Sequence, residues 1–127
     1  MRYMMMIKAN KDYEAGIPPN QELMAGMGKL TEEMAKAGVL LASEGLQPSS
    51  KGTRIKVSGG KRIVIDGPFA ETRELIGGYA IVKARSKDEA MQLADRVVGV
   101  HVEAGIGEVE MEIRPLFDPA DFSPPRR

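Results

Sequence analysis

The stretch Tyr3-Met4-Met5-Met6-Ile7-Lys8 is apolar at odd and even positions alike. A strand without a polar face predicts a central position, covered on both sides. Asn10 to Pro19 is polar and predicts a loop, after which Asn20, Gln21 and Glu22 form a helix N-terminus with an acidic first turn. Leu23, Met27, Leu30, Met34 and Ala37 recur at steps of three and four, so they line one helical stripe, and Gly38 stands where the helix should end. Burying Leu23, Met27, Leu30 and Met34 contributes about 1.5–3 kcal/mol each. Gly26 and Gly28 cost about 1 kcal/mol each relative to Ala, so the helix withstands its glycines.

Val39 to Leu46 reads as a second strand and Gln47 to Gly52 as a turn-rich connection. Arg54-Ile55-Lys56-Val57 alternates, Gly59-Gly60 suits a two-residue hairpin turn, and Arg62-Ile63-Val64-Ile65 returns. After Gly77-Gly78, Tyr79 to Ala84 predicts another strand, and Ser86-Lys87-Asp88-Glu89 is a capping box that opens a helix. Ala90, Leu93, Ala94, Val97 and Val98 give that helix one buried face, with Gly99 as its expected end. Val109, Met111 and Ile113 alternate with Glu108, Glu110, Glu112 and Arg114, a last strand apolar on one face and stopped by Pro115. The Pro-rich residues 118–127 read as a tail beyond a domain of residues 1–117.

This order predicts an α+β fold of the ferredoxin-like split βαβ plan with an added β-hairpin, both helices lying on one face of a four-stranded antiparallel sheet. If Val109, Met111 and Ile113 face the helices, Glu108, Glu110 and Glu112 project from the other face, where the first strand is apolar. A face of that kind is poorly suited to water. Packed against a second copy it forms a dimeric α/β-barrel with a ligand-sized cleft. The competing reading, a solvated acidic face on an edge strand, fits the periodicity equally well.

With 127 residues and 43% hydrophobic content, the chain can build one core without a staple. It has no Cys, which excludes a disulfide framework, a thiolate metal site and a cysteine nucleophile, and the expected location is cytoplasmic. Lys+Arg and Asp+Glu balance at 18 each, so no net field draws a polyphosphate and nucleic-acid binding is not expected. The Tyr3 to Ile7 run is too short for a signal-peptide core, and no segment reaches membrane-spanning length. Nine Met against 5% aromatic residues predict a flexible core; adaptable packing also suits a ligand pocket, although a Met-rich core is the plainer reading.

The densest unusual stretch is Asp66-Gly67-Pro68-Phe69-Ala70-Glu71-Thr72-Arg73-Glu74, followed by Leu75-Ile76-Gly77-Gly78-Tyr79. Turn chemistry accounts for it: Asp66 can accept backbone N–H bonds in an Asx turn, Gly67 suits the position before proline, Pro68 fixes φ and Phe69 anchors the turn. The functional reading sets the Asp66 carboxylate beside the cleft as a general base or ligand contact, with Gly67, Pro68, Phe69, Glu71 and Thr72 around it and Arg73 or Glu74 assisting. Glu44, on an otherwise apolar strand end, is a candidate second carboxylate; the plainer reading is an exposed or Arg-paired Glu. His101, in the Gly-rich stretch before the last strand, is a candidate acid or base, against the commoner case of an incidental loop His. Gly99, Gly105 and Gly107 follow a helix and precede a strand, the reverse of a phosphate-binding order. No metal-ligand cluster or cofactor motif is evident.

The Asp66-Gly67-Pro68-Phe69 motif resembles that of the DGPF family, part of the YCII-related group of small bacterial proteins. So do the methionine-rich first strand, Ala37-Gly38-Val39-Leu40 with Glu44-Gly45-Leu46-Gln47-Pro48, the Gly59-Gly60-Lys61-Arg62 turn and Glu112-Ile113-Arg114-Pro115. The resemblance covers nearly the whole domain. It implies a dimeric ferredoxin-like α/β-barrel with no established cofactor or reaction. Some members lie beside or are joined to extracytoplasmic-function sigma factors, which implies a regulatory association with transcription. The YCII branch is thought to use a His and Asp pair for acid–base work; here the one His is His101, and none precedes Asp66.

Three function classes follow. The leading one is a small-molecule binding domain. The second is a cofactor-free enzyme moving a proton on a small organic acid or carbonyl compound, with Asp66 or His101 as base. The third is an interaction module acting with a sigma factor. RNA binding is disfavoured, because the strands lack clustered stacking aromatics.

Overall fold

The alternating burial of the first strand, whose two faces are both apolar, decides where the core sits. In a computed structural model that describes residues 1–122, β1 (Arg2–Lys8) lies inside a four-stranded antiparallel sheet. The other members are β2 (Leu40–Gly45), β5 (Ile76–Lys83) and β6 (Met111–Pro115), in the order β2-β5-β1-β6. Between β2 and β5 in sequence, β3 (Thr53–Ser58) and β4 (Lys61–Asp66) form a separate two-stranded ribbon. Three α-helices accompany them among the described residues: α1 (Lys11–Glu14), α2 (Gln21–Lys36) and α3 (Lys87–Glu103). The molecule is α+β, and the sheet of one chain is open rather than closed into a barrel.

On β1, Tyr3 stands opposite Val82, and Met5 opposite Ala80 and Ile113. Tyr3, Met5 and Val82 share a core with Leu30 and Met34 of α2 and with Leu93, Ala94 and Val97 of α3. Both long helices therefore cover the same face of the sheet. Val82 is 0% and Met5 2% exposed, which marks the centre of this layer.

α2 starts as predicted: the Asn20 side chain accepts from Leu23 N at 2.7 Å. Its end is also where expected, with Ala37 as cap and Gly38 at φ 75°. The Asn20 amide donates to the Ala104 carbonyl at 2.9 Å, tying the start of α2 to the end of α3. Gly26 serves the same helix pair, since a Cβ there would stand 2.7 Å from Val100 Cγ1.

Four expectations need correction. Gly99 does not end α3, which opens on the expected Ser86 cap but continues to Glu103, with Ala104 as C-cap and Gly105 at φ 84°. Val97 and Val100 both pack into the core, and that contact carries the helix through the glycine. The 10–19 loop contains α1, capped by Asn10, whose side chain accepts from Tyr13 N at 2.8 Å. β5 begins at Ile76, so Gly77 and Gly78 belong to it; Tyr13 packs on Gly77, and a Cβ on Gly78 would stand 3.1 Å from the Glu44 carbonyl. β6 is shorter than predicted: Glu108, Val109 and Glu110 precede it, leaving Glu112 as the member of the acidic row that lies in the strand.

The hairpin is built as expected, with Gly59 at φ 57° and Gly60 at φ 79° in its two-residue turn. Beyond β6, Leu116 N donates to Arg2 O at 2.9 Å and Arg2 donates to Phe117 O at 3.0 Å. A short 3-10 turn, Pro119–Phe122, follows, and residues 123–127 of the expected tail lie outside the described residues. No helix among the described residues is long and apolar enough to cross a membrane.

Candidate functional site

The side chains between those of the core point away from the helices. Met4 stands opposite Ile81 and Arg114, and Met6 opposite Tyr79 and Glu112. Ala42 and Glu44 of β2 continue these rows beside Ile81 and Tyr79. Ala42, Met4, Met6, Tyr79 and Ile81 are half-buried on the face opposite α2 and α3, so the second face of the sheet has an apolar centre. Its β6 side carries charge: Lys8 Nζ lies 3.2 Å from Glu112, whose other oxygen accepts from Arg114. Hydrogen bonds from Arg114 and then Lys8 hold the Glu112 carboxyl below its ordinary pKa. On the β2 side Glu44 is exposed and has no cation partner among the described residues.

The Asp66–Phe69 motif forms the corner through which β4 leaves the ribbon. Asp66 accepts from the Thr53 hydroxyl at 3.1 Å across the ribbon, a cross-strand bond rather than the expected Asx turn. Gly67 is required for space rather than for conformational freedom: a Cβ there would lie 1.7 Å from the Ser49 carbonyl oxygen. Its N–H donates to Gly52 O at 2.9 Å, and the Gly67–Pro68 peptide is cis. Phe69 lies under the Arg54 guanidinium, 3.9 Å from ring centroid to carbon, and against Gly52. Glu71 is exposed, Thr72 half-buried, and the 3-10 turn Thr72–Glu74 leads into β5.

Ser49 fastens this corner to the body. Its hydroxyl accepts from Phe69 N at 3.0 Å and donates to the Glu14 carboxylate, while its own N–H donates to the second Glu14 oxygen at 2.8 Å. With its donor and one acceptor site engaged, the hydroxyl is tied into a clamp rather than presented to a ligand. The neighbouring Tyr13 hydroxyl donates to Gly77 O at 2.8 Å, and its pKa is raised by burial first and by the nearby Glu14 charge second.

Of the predicted residues, Asp66, Gly67, Pro68 and Phe69 thus meet in one corner. Glu44 stands apart, on the helix-free face. His101 is not in a loop: it lies on the last turn of α3, and its Nδ1 donates to Val97 O at 2.8 Å. No hydrogen bond or ion pair among the described residues joins Asp66, Glu44 and His101. Glu14, Ser49 and Tyr13 were not anticipated; Glu14 and Ser49 are 35 positions apart, and neither spacing nor residue type announces the pairing. Among the described residues no group of three or more His, Asp or Glu is gathered to hold a metal ion.

These features define a small α+β protein whose sheet is helix-covered on one side and whose two-stranded ribbon is fastened at a Gly-Pro corner. The chain belongs to the YCII-related domain family, which it matches over residues 1–114. A relative from Rhizobium meliloti (strain 1021), 30% identical over 97 residues, or 76% of this chain and 75% of that protein, is described as uncharacterised.

Proposed function

We propose that this protein is a homodimer whose helix-free sheet faces meet, closing a dimeric ferredoxin-like α/β-barrel around a cleft for a small organic ligand. The observation that carries this reading is the apolar row Ala42, Ile81, Met4 with Tyr79 and Met6, on the sheet face opposite the one that α2 and α3 cover. The sheet order supports the ferredoxin-like plan, with β1 and β5 central. Within the cleft, Glu44 and the Tyr79 hydroxyl are the polar contacts, and Met4 and Met6 adapt to the ligand's apolar part. The segment Asp66 to Thr72 forms the rim at the end where β5 begins.

Acid–base turnover of a small organic acid or carbonyl compound in the same cleft is the second reading. It is favoured by one observation: beyond its Thr53 bond, exposed Asp66 keeps a carboxylate oxygen free. His101, on the helix-covered side, takes no part in either reading.

Light scattering and a thermal-shift panel of organic acids and carbonyl compounds test the proposal together. The expected result is a dimer and at least one compound raising Tm by about 5 °C or more at a hundredfold excess over Kd. Glu44→Gln with Tyr79→Phe should abolish that shift. A monomeric protein at micromolar concentration, or a panel without effect, would overturn it.

A further inference from the structure

We propose that the β3–β4 ribbon is a clasp that closes on the second copy of the chain. This rests on the homodimer reading above and adds a second, separate contact to it.

The ribbon is apolar where nothing covers it. Ile55 stands opposite Val64, and Val57 one pair further out on the same face. The three are 63%, 50% and 68% exposed, and the ribbon does not pack appreciably on the sheet or the long helices. An uncovered two-stranded hairpin is at best marginally stable in water. Yet this one leaves its base through the Ser49–Glu14 clamp and the tight Gly67 corner, so its attachment is well determined.

Charge identifies the occupant. From Lys51 to Asp66 the chain carries five Lys or Arg and one Asp, a formal +4; the whole chain sums to zero, so the remainder carries −4. The ion pairs among the described residues draw no cation from the ribbon, while Glu44, Glu108 and Glu110 on the body have no cation partner. Ribbon and body are therefore complementary, and a second copy supplies the body that a ribbon needs. A nucleic acid would match the charge but not the Ile55–Val57–Val64 face.

Reach and area agree. Strands of six residues extend about 20 Å, whereas packed sheets lie about 10 Å apart, so the ribbon spans the gap to a partner. A sheet of four such strands covers about 20 by 20 Å, or about 400 Å² in projection. A standard interface buries about 800 Å² of accessible surface per partner, and the ribbon adds its exposed apolar face to that of the sheet.

The test compares wild type, Ile55→Asp/Val57→Asp on the ribbon and Ile81→Asp on the open face by sedimentation. The ribbon variant alters exposed side chains, and circular dichroism checks its fold. Its dimer Kd should rise about a hundredfold, and wild-type Kd should rise with salt. A wild-type dimer whose Kd the ribbon variant moves less than threefold overturns the clasp and leaves the sheet pairing standing. Loss of the dimer in the ribbon variant with Ile81→Asp unaffected supports the clasp and overturns the sheet pairing; a monomeric wild type overturns both. Because the chain has no Cys, Val57→Cys carrying a benzophenone probe gives a second readout. Crosslinks between chains support the clasp, and crosslinks only within one chain, or only to added duplex DNA, overturn it.

Discussion

Gly67→Ala is the sharpest perturbation available, because the structure fixes what the added methyl meets. Its carbon would lie 1.7 Å from the Ser49 carbonyl oxygen and 2.7 Å from the carbonyl carbon. Contacts below 3.0 Å essentially never occur for a real Cβ, so the two backbones must separate by at least 1.3 Å, the difference between 3.0 and 1.7. The Ser49 peptide is not free to retreat. Its oxygen accepts from Gly52 N at 2.8 Å, its N–H and hydroxyl both hold Glu14, and its hydroxyl accepts from Phe69 N. A neutral hydrogen bond contributes about 0.5–1.5 kcal/mol and one to a charged group about 1.5–3; losing one of each costs about 2–4.5 kcal/mol. The loss falls on the ribbon and its corner, because these share little packing with the core. Hydrogen exchange of the 48–75 segment is the assay, with β1 and α3 as internal reference. Protection there should drop by about 30- to 2,000-fold, or to the unprotected rate, since about 1.4 kcal/mol is a factor of ten. Ribbon protection within threefold of wild type would refute the claim that Gly67 is required by the approach of Ser49.

Three further outcomes are expected. Gly28→Ala adds a methyl to open space on α2 and should stabilise by about 0.5–1 kcal/mol, whereas Gly26→Ala meets Val100 and should destabilise by about 1–3 kcal/mol; thermal unfolding that shows the two shifts equal in sign would contradict the helix contact. Tyr13→Phe should cost about 0.5–1.5 kcal/mol in urea unfolding, by removing one of the two hydrogen bonds to the Gly77 carbonyl, which keeps the Leu46 N–H. In wild type, the raised Tyr13 pKa means this group's contribution is complete below the ordinary value of 10.0 and is lost as pH climbs from there through the folded value. Glu112 has the opposite sign. Its depressed pKa gives stability that is present above 4.5 and lost as pH falls through the folded value, so Glu112→Gln should flatten the acid limb of a stability–pH curve; an unchanged limb would show that Arg114 and Lys8 do not hold the carboxylate.

The elements that periodicity marks strongly were legible. β1 has no polar face and is central; the α2 stripe and the Ser86 cap are where their residue types put them. Legibility failed where a tertiary contact overrides a local signal. Gly99 is a competent helix end by itself, and only the packing of Val97 and Val100 carries α3 four residues further, which also moves His101 from a loop to a helix. Gly77-Gly78 reads as a break, yet the pair lies in β5, where the Tyr13 ring packs on Gly77 and the Glu44 carbonyl leaves little room for a Cβ on Gly78. The candidate site was half legible. The Asp66–Phe69 stretch announces a corner through its turn residues, but the bonds that hold it span 13, 20 and 35 positions and have no signature.

The corner changes where functional weight should be placed. Read from its residues, the motif invites attention to the Asp66 carboxylate. In the fold, its members serve attachment: Asp66 ties the two ribbon strands, Gly67 admits the Ser49 peptide, and Phe69 is held through its N–H and lies under Arg54. A clamp joining three separate segments would be excessive for a loop of no consequence, given that each ordered residue costs about 1–2 kcal/mol of backbone entropy. What the clamp determines is the placement of a cationic, apolar-faced ribbon relative to an acidic body. If dimer formation is the step that closes the ligand cleft, the motif acts on ligand binding from a distance, through the ribbon. Gly67→Ala should then weaken the dimer while an Asp66→Asn variant, which keeps an acceptor for Thr53, leaves it intact; the reverse order would return the carboxylate to the centre of the chemistry.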